Sequence, residues 1–110
     1  MENIKEIESD KLLQSIENIF NSGGIDAVKK YIETEFTIGT LVNLNQGVSN
    51  EKKYKICNYA IWQMNAQGIV SNAAYLAPKN NIQNCPLIRV VALSYISEPF
   101  QVEIYGSEIS

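Results

Sequence analysis

Histidine is absent from these 110 residues. Its absence removes the commonest general base and metal ligand, and every catalytic triad built on imidazole. Arginine is almost absent too: Arg89 stands alone inside an apolar stretch, so no guanidinium cluster can clamp a phosphate or carboxylate substrate. No GxxxxGK[ST], GxGxxG or GxSxG occurs, which leaves no phosphate loop, dinucleotide fingerprint or nucleophile elbow. The two cysteines, Cys57 and Cys85, are too few for a disulfide framework and, without histidine, for a zinc site; reduced thiols are expected. No stretch approaches the ~20 consecutive apolar residues that span a bilayer. The start, Met1-Glu2-Asn3-Ile4-Lys5-Glu6, lacks the basic opening and apolar run of a signal peptide. The expectation is a cytoplasmic protein that is not an enzyme and has no catalytic residue, cofactor, metal, membrane contact or small-molecule substrate.

What is present is ordinary globular material: 45% apolar residues, 19% charged, and a net charge of -3. The charge is uneven. Residues 1–36 hold four lysines against eight carboxylates, whereas Lys52, Lys53 and Lys55 oppose only Glu51 over 51–55. An acidic chain is repelled by nucleic-acid phosphates and steered toward a basic partner. The length fits one domain, 1–110, with one core.

Residues 1–8 read as a flexible leader. Ser9 or Asp10 can cap a helix, and Leu12, Leu13, Ile16, Ile19 and Phe20 recur at helical spacing over 9–21. Asn21-Ser22-Gly23-Gly24 marks a stop. Ile25, Val28, Ile32 and Phe36 then form the stripe of a second helix over 25–36, giving an αα-hairpin. Residues 37–48 read as a short strand and a turn near Asn43 to Gly47. Ser49 or Asn50 opens a third helix over 50–67, with Tyr54, Cys57, Ile61 and Met64 on one side and Gly68 as its stop. Ser71 to Pro86, rich in Asn and Pro, reads as irregular. Residues 87–96 and 100–105 read as an antiparallel hairpin, in which Phe100, Val102 and Ile104 alternate with Gln101, Glu103 and Tyr105. The fold class expected is α+β: three N-terminal and central helices followed by a C-terminal β-hairpin.

Few residues suggest chemistry. Glu33 and Glu35 are the nearest carboxylate pair, but two positions apart on a helix they do not face one another, so a solvated surface outweighs a catalytic role. Cys57 lies near Lys53, which can lower a thiol pKa, yet a cysteine in an apolar stripe is usually packing. Lys52, Lys53 and Lys55 with Tyr54, Tyr59 and Trp62 carry a nucleic-acid flavour, set against the acidic total. Tyr54, Tyr59, Trp62, Tyr75, Tyr95 and Tyr105 supply the rigid, amphipathic area typical of protein interfaces, although some must be core.

In overall character, short, acidic and free of catalytic machinery, the chain resembles bacterial toxin-immunity proteins, including those of contact-dependent growth inhibition systems. The resemblance implies a cytoplasmic protein that neutralises a cognate toxin, often a basic nuclease, through an acidic and aromatic face. On that implication Tyr31, Glu33 and Glu35 are the partner-binding candidates. A second, local likeness is to the exit of a winged-helix recognition helix, carried by Tyr59-Ala60-Ile61-Trp62-Gln63-Met64-Asn65-Ala66-Gln67-Gly68-Ile69-Val70. It implies a DNA-binding regulator as the alternative, although only Arg89 is available to a basic wing. The leading reading is a small acidic binding protein that inhibits or neutralises a protein partner.

Overall fold

The computed structural model describes residues 4–45, 52–79 and 84–109. Along the chain come β1 (Ile4–Glu8), α1 (Ser9–Glu35), β2 (Leu41–Asn45), β3 (Lys52–Met64), β4 (Val70–Leu76), β5 (Leu87–Leu93) and β6 (Phe100–Ile109). The expected three helices with a hairpin are thereby corrected. One helix, among the described residues, lies against a six-stranded sheet ordered β1-β2-β3-β6-β5, with β4 also paired to β3. Only β1 and β2 run parallel; every other pairing is antiparallel.

The largest correction concerns 52–64, expected as the third helix and found as the central strand. One edge of β3 pairs with β6 along its length, from Lys53↔Ile109 to Gln63↔Phe100. The other edge is shared, with β2 from Leu44↔Lys52 to Leu41↔Lys55 and β4 from Met64↔Val70 to Ile61↔Leu76. A bulge between Ile56 and Asn58 inserts Cys57 as an extra residue. Alternation is therefore Tyr54, Ile56 and then Tyr59, Ile61, so a step of three interrupts the steps of two and imitates helical spacing.

The expected αα-hairpin is a single helix of 27 residues with a kink at Gly24, whose φ of 72° and ψ of -162° are non-helical. Glycine tolerates that backbone without a Cβ penalty. A straight helix of this length would run ~40 Å, against ~17 Å for the five-residue strands it connects. The break lets the chain double back: Lys5 Nζ in β1 reaches the Glu35 backbone oxygen at 3.0 Å at the helix end. Residues 4–8, expected within a flexible leader, are strand β1 paired with β2. Residues 71–76, expected as irregular, belong to strand β4. The hairpin expected at the C-terminus is present as β5 and β6, within the larger sheet. The side chains of the expected caps Ser9 and Asp10, the alternative cap residues Ser49 and Asn50, and the Gln46–Gly47 end of the expected turn lie outside the described residues.

The core fills the space between α1 and one sheet face. Leu12, Ile16, Val28 and Ile32 of the helix, with Phe36 just beyond its end, meet Val42, Leu44, Ile56, Tyr59, Ile61, Val91, Leu93, Phe100, Val102 and Ile104. The Phe20 and Phe100 rings, 5.6 Å apart, fix which face of β6 looks at the helix. Gly106, also buried, shows how tightly the far end closes: a Cβ there would lie 3.0 Å from Ile88 Cδ1 and 3.1 Å from the Lys55 carbonyl oxygen.

Cys57 and Cys85 are bonded, with Cα atoms 6.1 Å apart, which corrects the expected free thiols. One bridge needs only two cysteines, and the topology supplies the approach. After β4 the chain crosses back past β6 to start β5, bringing Cys85 to the bulge. Asn58, fully buried, secures the same spot: its Oδ1 accepts from the backbone N–H of Tyr59 at 2.9 Å and of Lys79 at 3.0 Å. No described helix is long and apolar enough to cross a membrane.

Two outcomes follow for stability. Val102, fully buried and paired with both Ile61 and Val91, would carry an unpaired carboxylate into the core as Val102→Asp. That costs a few kcal/mol, a large part of a small domain's stability, so loss of cooperative thermal melting is expected; a near-native melting temperature would remove β6 from the core. Reduction of Cys57–Cys85, or the Cys57→Ser/Cys85→Ser double variant, reopens a loop with a sequence separation of 28. Chain entropy sets the loss at up to about 3–4 kcal/mol, read as a lower urea midpoint.

Candidate functional site

Directly paired residues of antiparallel strands point to the same side of a sheet. On β6, Phe100, Val102 and Ile104 face the helix, so Gln101, Glu103 and Tyr105 face away from it. Their β3 partners Trp62, Ala60 and Asn58 share that side, as do Ala92, Val90 and Leu87 of β5. No described helix covers this face.

At its centre the Glu103 carboxylate is held by three side chains. Trp62 Nε1–H donates to Oε1 at 2.6 Å, the Tyr105 hydroxyl donates to Oε1 at 2.7 Å, and Gln101 Nε2–H donates to Oε2 at 3.1 Å. Bonds to an ionised acceptor are short and strong. Trp62, Gln101 and Glu103 are half-buried and Tyr105 is buried. Burial, the hydrogen bond to Glu103 and that group's negative charge push the Tyr105 phenol up to about 12. On either side of Glu103 across the strands stand Ala60, fully buried, and Val90, 42% exposed. The carboxylate thus sits in a shallow apolar frame with its direction set.

A cleft lies between the helix and the β1 edge of the sheet. Its volume is about 430 Å³, and it is lined by Lys5, Lys11, Ser15, Tyr31, Glu35 and Phe36 among others. Two of the three partner-binding candidates read from sequence, Tyr31 and Glu35, meet here. Tyr31 is half-buried, edge-on to Phe36 with centroids 6.4 Å apart. Burial raises its phenol, the Glu35 charge adds to that, and a hydrogen bond with Ser15 works against it. Glu35 pairs with Lys5 at 2.5 Å. Glu33, the third candidate, points elsewhere and meets Lys79 at 3.7 Å, whose ammonium also lies 5.9 Å from the Tyr59 ring centroid. Both helix carboxylates are thus matched by a lysine within the chain.

No family model, no curated protein and no solved structure matches this chain. Functional argument therefore rests on the two surfaces. Among the described residues no three of Asp, Glu, Cys and His gather as metal ligands do. The segment that resembled a recognition-helix exit, Tyr59 to Val70, is the end of β3, a turn and the first residue of β4, so the helix on which that local likeness rested is a strand.

The cluster around Glu103 was only half visible in the sequence. Alternation along 100–105 places Gln101, Glu103 and Tyr105 together. Trp62 was assigned to a helix and could not be joined to them; period-two spacing of Asn58, Ala60, Trp62 and Met64 was the signal available.

Because the fold holds the Tyr105 proton more tightly than the unfolded chain does, its stabilising effect is complete below pH 10. It is lost as pH rises from the ordinary tyrosine value of 10 through about 12. Ultraviolet titration should show one phenol ionising near that upper value, brought down in Glu103→Gln. A Tyr105→Phe variant should lose less stability than wild type over that pH interval; an identical loss would detach Tyr105 from Glu103.

Proposed function

We propose that this chain is a small acidic binding protein that inhibits or neutralises a protein partner, in the manner of toxin-immunity proteins. In this reading the partner docks on the helix-free face of the sheet. The observation that carries it is the Trp62–Gln101–Glu103–Tyr105 cluster, an oriented carboxylate with aromatic neighbours on a face without a covering helix. Tryptophan and tyrosine with a polar tip are the residue types that concentrate binding energy in interfaces. Exposed Val90 and Leu87 on the adjacent strand extend the contact area. The net charge of -3 favours encounter with a basic surface.

The bonded Cys57–Cys85 pair bears on location. Disulfides persist in a periplasm or outside the cell and are rare in a reducing cytosol. The bridge therefore favours an oxidising compartment over the cytoplasm expected from the sequence, and thiol trapping in fractionated cells decides between them.

The function is tested by capture from the native host with wild type as bait, followed by kinetics with the purified partner and protection of cells exposed to it. Trp62→Ala should weaken binding by about 2 kcal/mol, roughly thirty-fold, mainly through faster dissociation. The association rate should fall as salt rises, since the Debye length is only ~8 Å at physiological ionic strength. Glu33→Lys with Glu35→Lys should matter less than Trp62→Ala, because each of those carboxylates already has its lysine. The opposite ranking would move the interface to the helix side.

A further inference from the structure

The fate of the individual carboxylates separates Glu103 from the others that the structure describes in pairs. Glu33 meets Lys79 at 3.7 Å, Glu35 meets Lys5 at 2.5 Å and Glu108 meets Lys52 at 3.8 Å. Glu103 faces no lysine or arginine among the described residues. Its position is set by three neutral donors, Trp62, Tyr105 and Gln101. A carboxylate offers about four lone-pair directions, two per oxygen. Oε1 already accepts twice and Oε2 once, so one direction on Oε2 is open. Neutral donors orient the group without cancelling its charge.

We infer that this open position receives a basic side chain, a guanidinium or an ammonium, presented by the protein partner; the inference rests on the docking face proposed above. The surroundings suit that occupant at both of its ends. The charged head pairs at Oε2 with a carboxylate whose own three donors are neutral. The aliphatic stem of an arginine or lysine can lie along apolar surface while its head stays polar, and Val90 and Leu87, 42% and 47% exposed, provide that surface on the adjoining strand. A carboxylate on the partner would instead meet Glu103 with like charge. A neutral hydrogen-bonding group would use the open lone pair without drawing on the charge.

Trp62 is the only tryptophan in the chain, so its indole N–H gives one resonance at the site. The probe is the blocked peptide acetyl-Gly-Arg-Gly-amide, titrated into the uniformly ¹⁵N-labelled protein. Its citrulline counterpart, the same shape without the charge, is the control. Saturable movement of the Trp62 indole resonance and of amides in β3 and β6 is expected with the arginine peptide in the millimolar range. The citrulline peptide should bind about ten-fold more weakly or worse. Glu103→Gln retains an oxygen acceptor for Trp62 and Tyr105 and should abolish the preference while leaving the melting temperature near that of wild type.

Equal responses to both peptides on β3 and β6 would keep the face as a binding surface and overturn its selection of a cation. Responses confined to Lys5, Tyr31 and Glu35 would overturn the assignment of the face itself. No response to either peptide overturns the inference, and the effect of Trp62→Ala on the isolated partner then shows separately whether the docking face stands.

Discussion

Between Ile56 and Asn58 the β3–β6 ladder gains one residue on the β3 side, and the use of both sheet faces depends on that insertion. Side chains alternate strictly along a strand, so a one-residue shift exchanges its faces. Tyr54 and Ile56 point at the helix. Unbroken alternation would carry that side on to Asn58, Ala60 and Trp62, and turn Tyr59 and Ile61 outward. With Cys57 inserted, both halves of β3 present their apolar side to α1, and Trp62 lands beside Gln101 and Glu103. Two further features converge on the same point: Asn58 Oδ1 accepts two backbone N–H groups there, and Cys57 is bonded to Cys85. The bulge, the crossing from β4 to β5 and the placement of Trp62 form one mechanical unit.

The same insertion explains where the sequence misleads. Helical spacing over 50–67 rested on Tyr54, Cys57, Ile61 and Met64, but the step of three from 54 to 57 runs into the bulge. The nearly continuous burial from Ile56 to Ile61 belongs to a central strand with neighbours on both edges. Strand β6 has no such interruption over Phe100 to Tyr105, and its alternation was readable directly. The two helical stripes before and after Gly24 were also readable. Their joining into one kinked crossover was not, because a Gly-Gly pair ends a helix as readily as it bends one, and only the parallel pairing of β1 with β2 requires the chain to return. That pairing is itself long-range and leaves no local trace in Ile4 to Glu8.

The two sides of the molecule handle charge differently. On the helix side, Glu35 and Glu33 each meet a lysine of the same chain, Lys5 and Lys79. Exposed pairs of this kind contribute little to stability, ~1 kcal/mol or less. Tyr31 and Glu35 meet at the cleft beside β1, whereas Glu33 pairs away from it with Lys79. On the sheet side Glu103 is oriented without an internal cation. Its neighbours are neutral, and its charge is expressed outward.

Orientation without neutralisation has an energetic consequence for recognition. A free glutamate must surrender rotamer freedom when it pairs, which is much of the reason exposed ion pairs are weak. Glu103 has already surrendered it, through bonds from Trp62, Tyr105 and Gln101 that exist before any partner arrives. Fixing a group in its bound geometry reduces the cost of association. The fixing depends on Trp62 reaching across from β3, and so on the bulge and the bridge that holds it. The Cys57–Cys85 bond is made at the residue that the bulge inserts. The ladder to β6 on either side of that residue holds the two halves of β3 in the phase that places Trp62 beside Gln101 and Glu103.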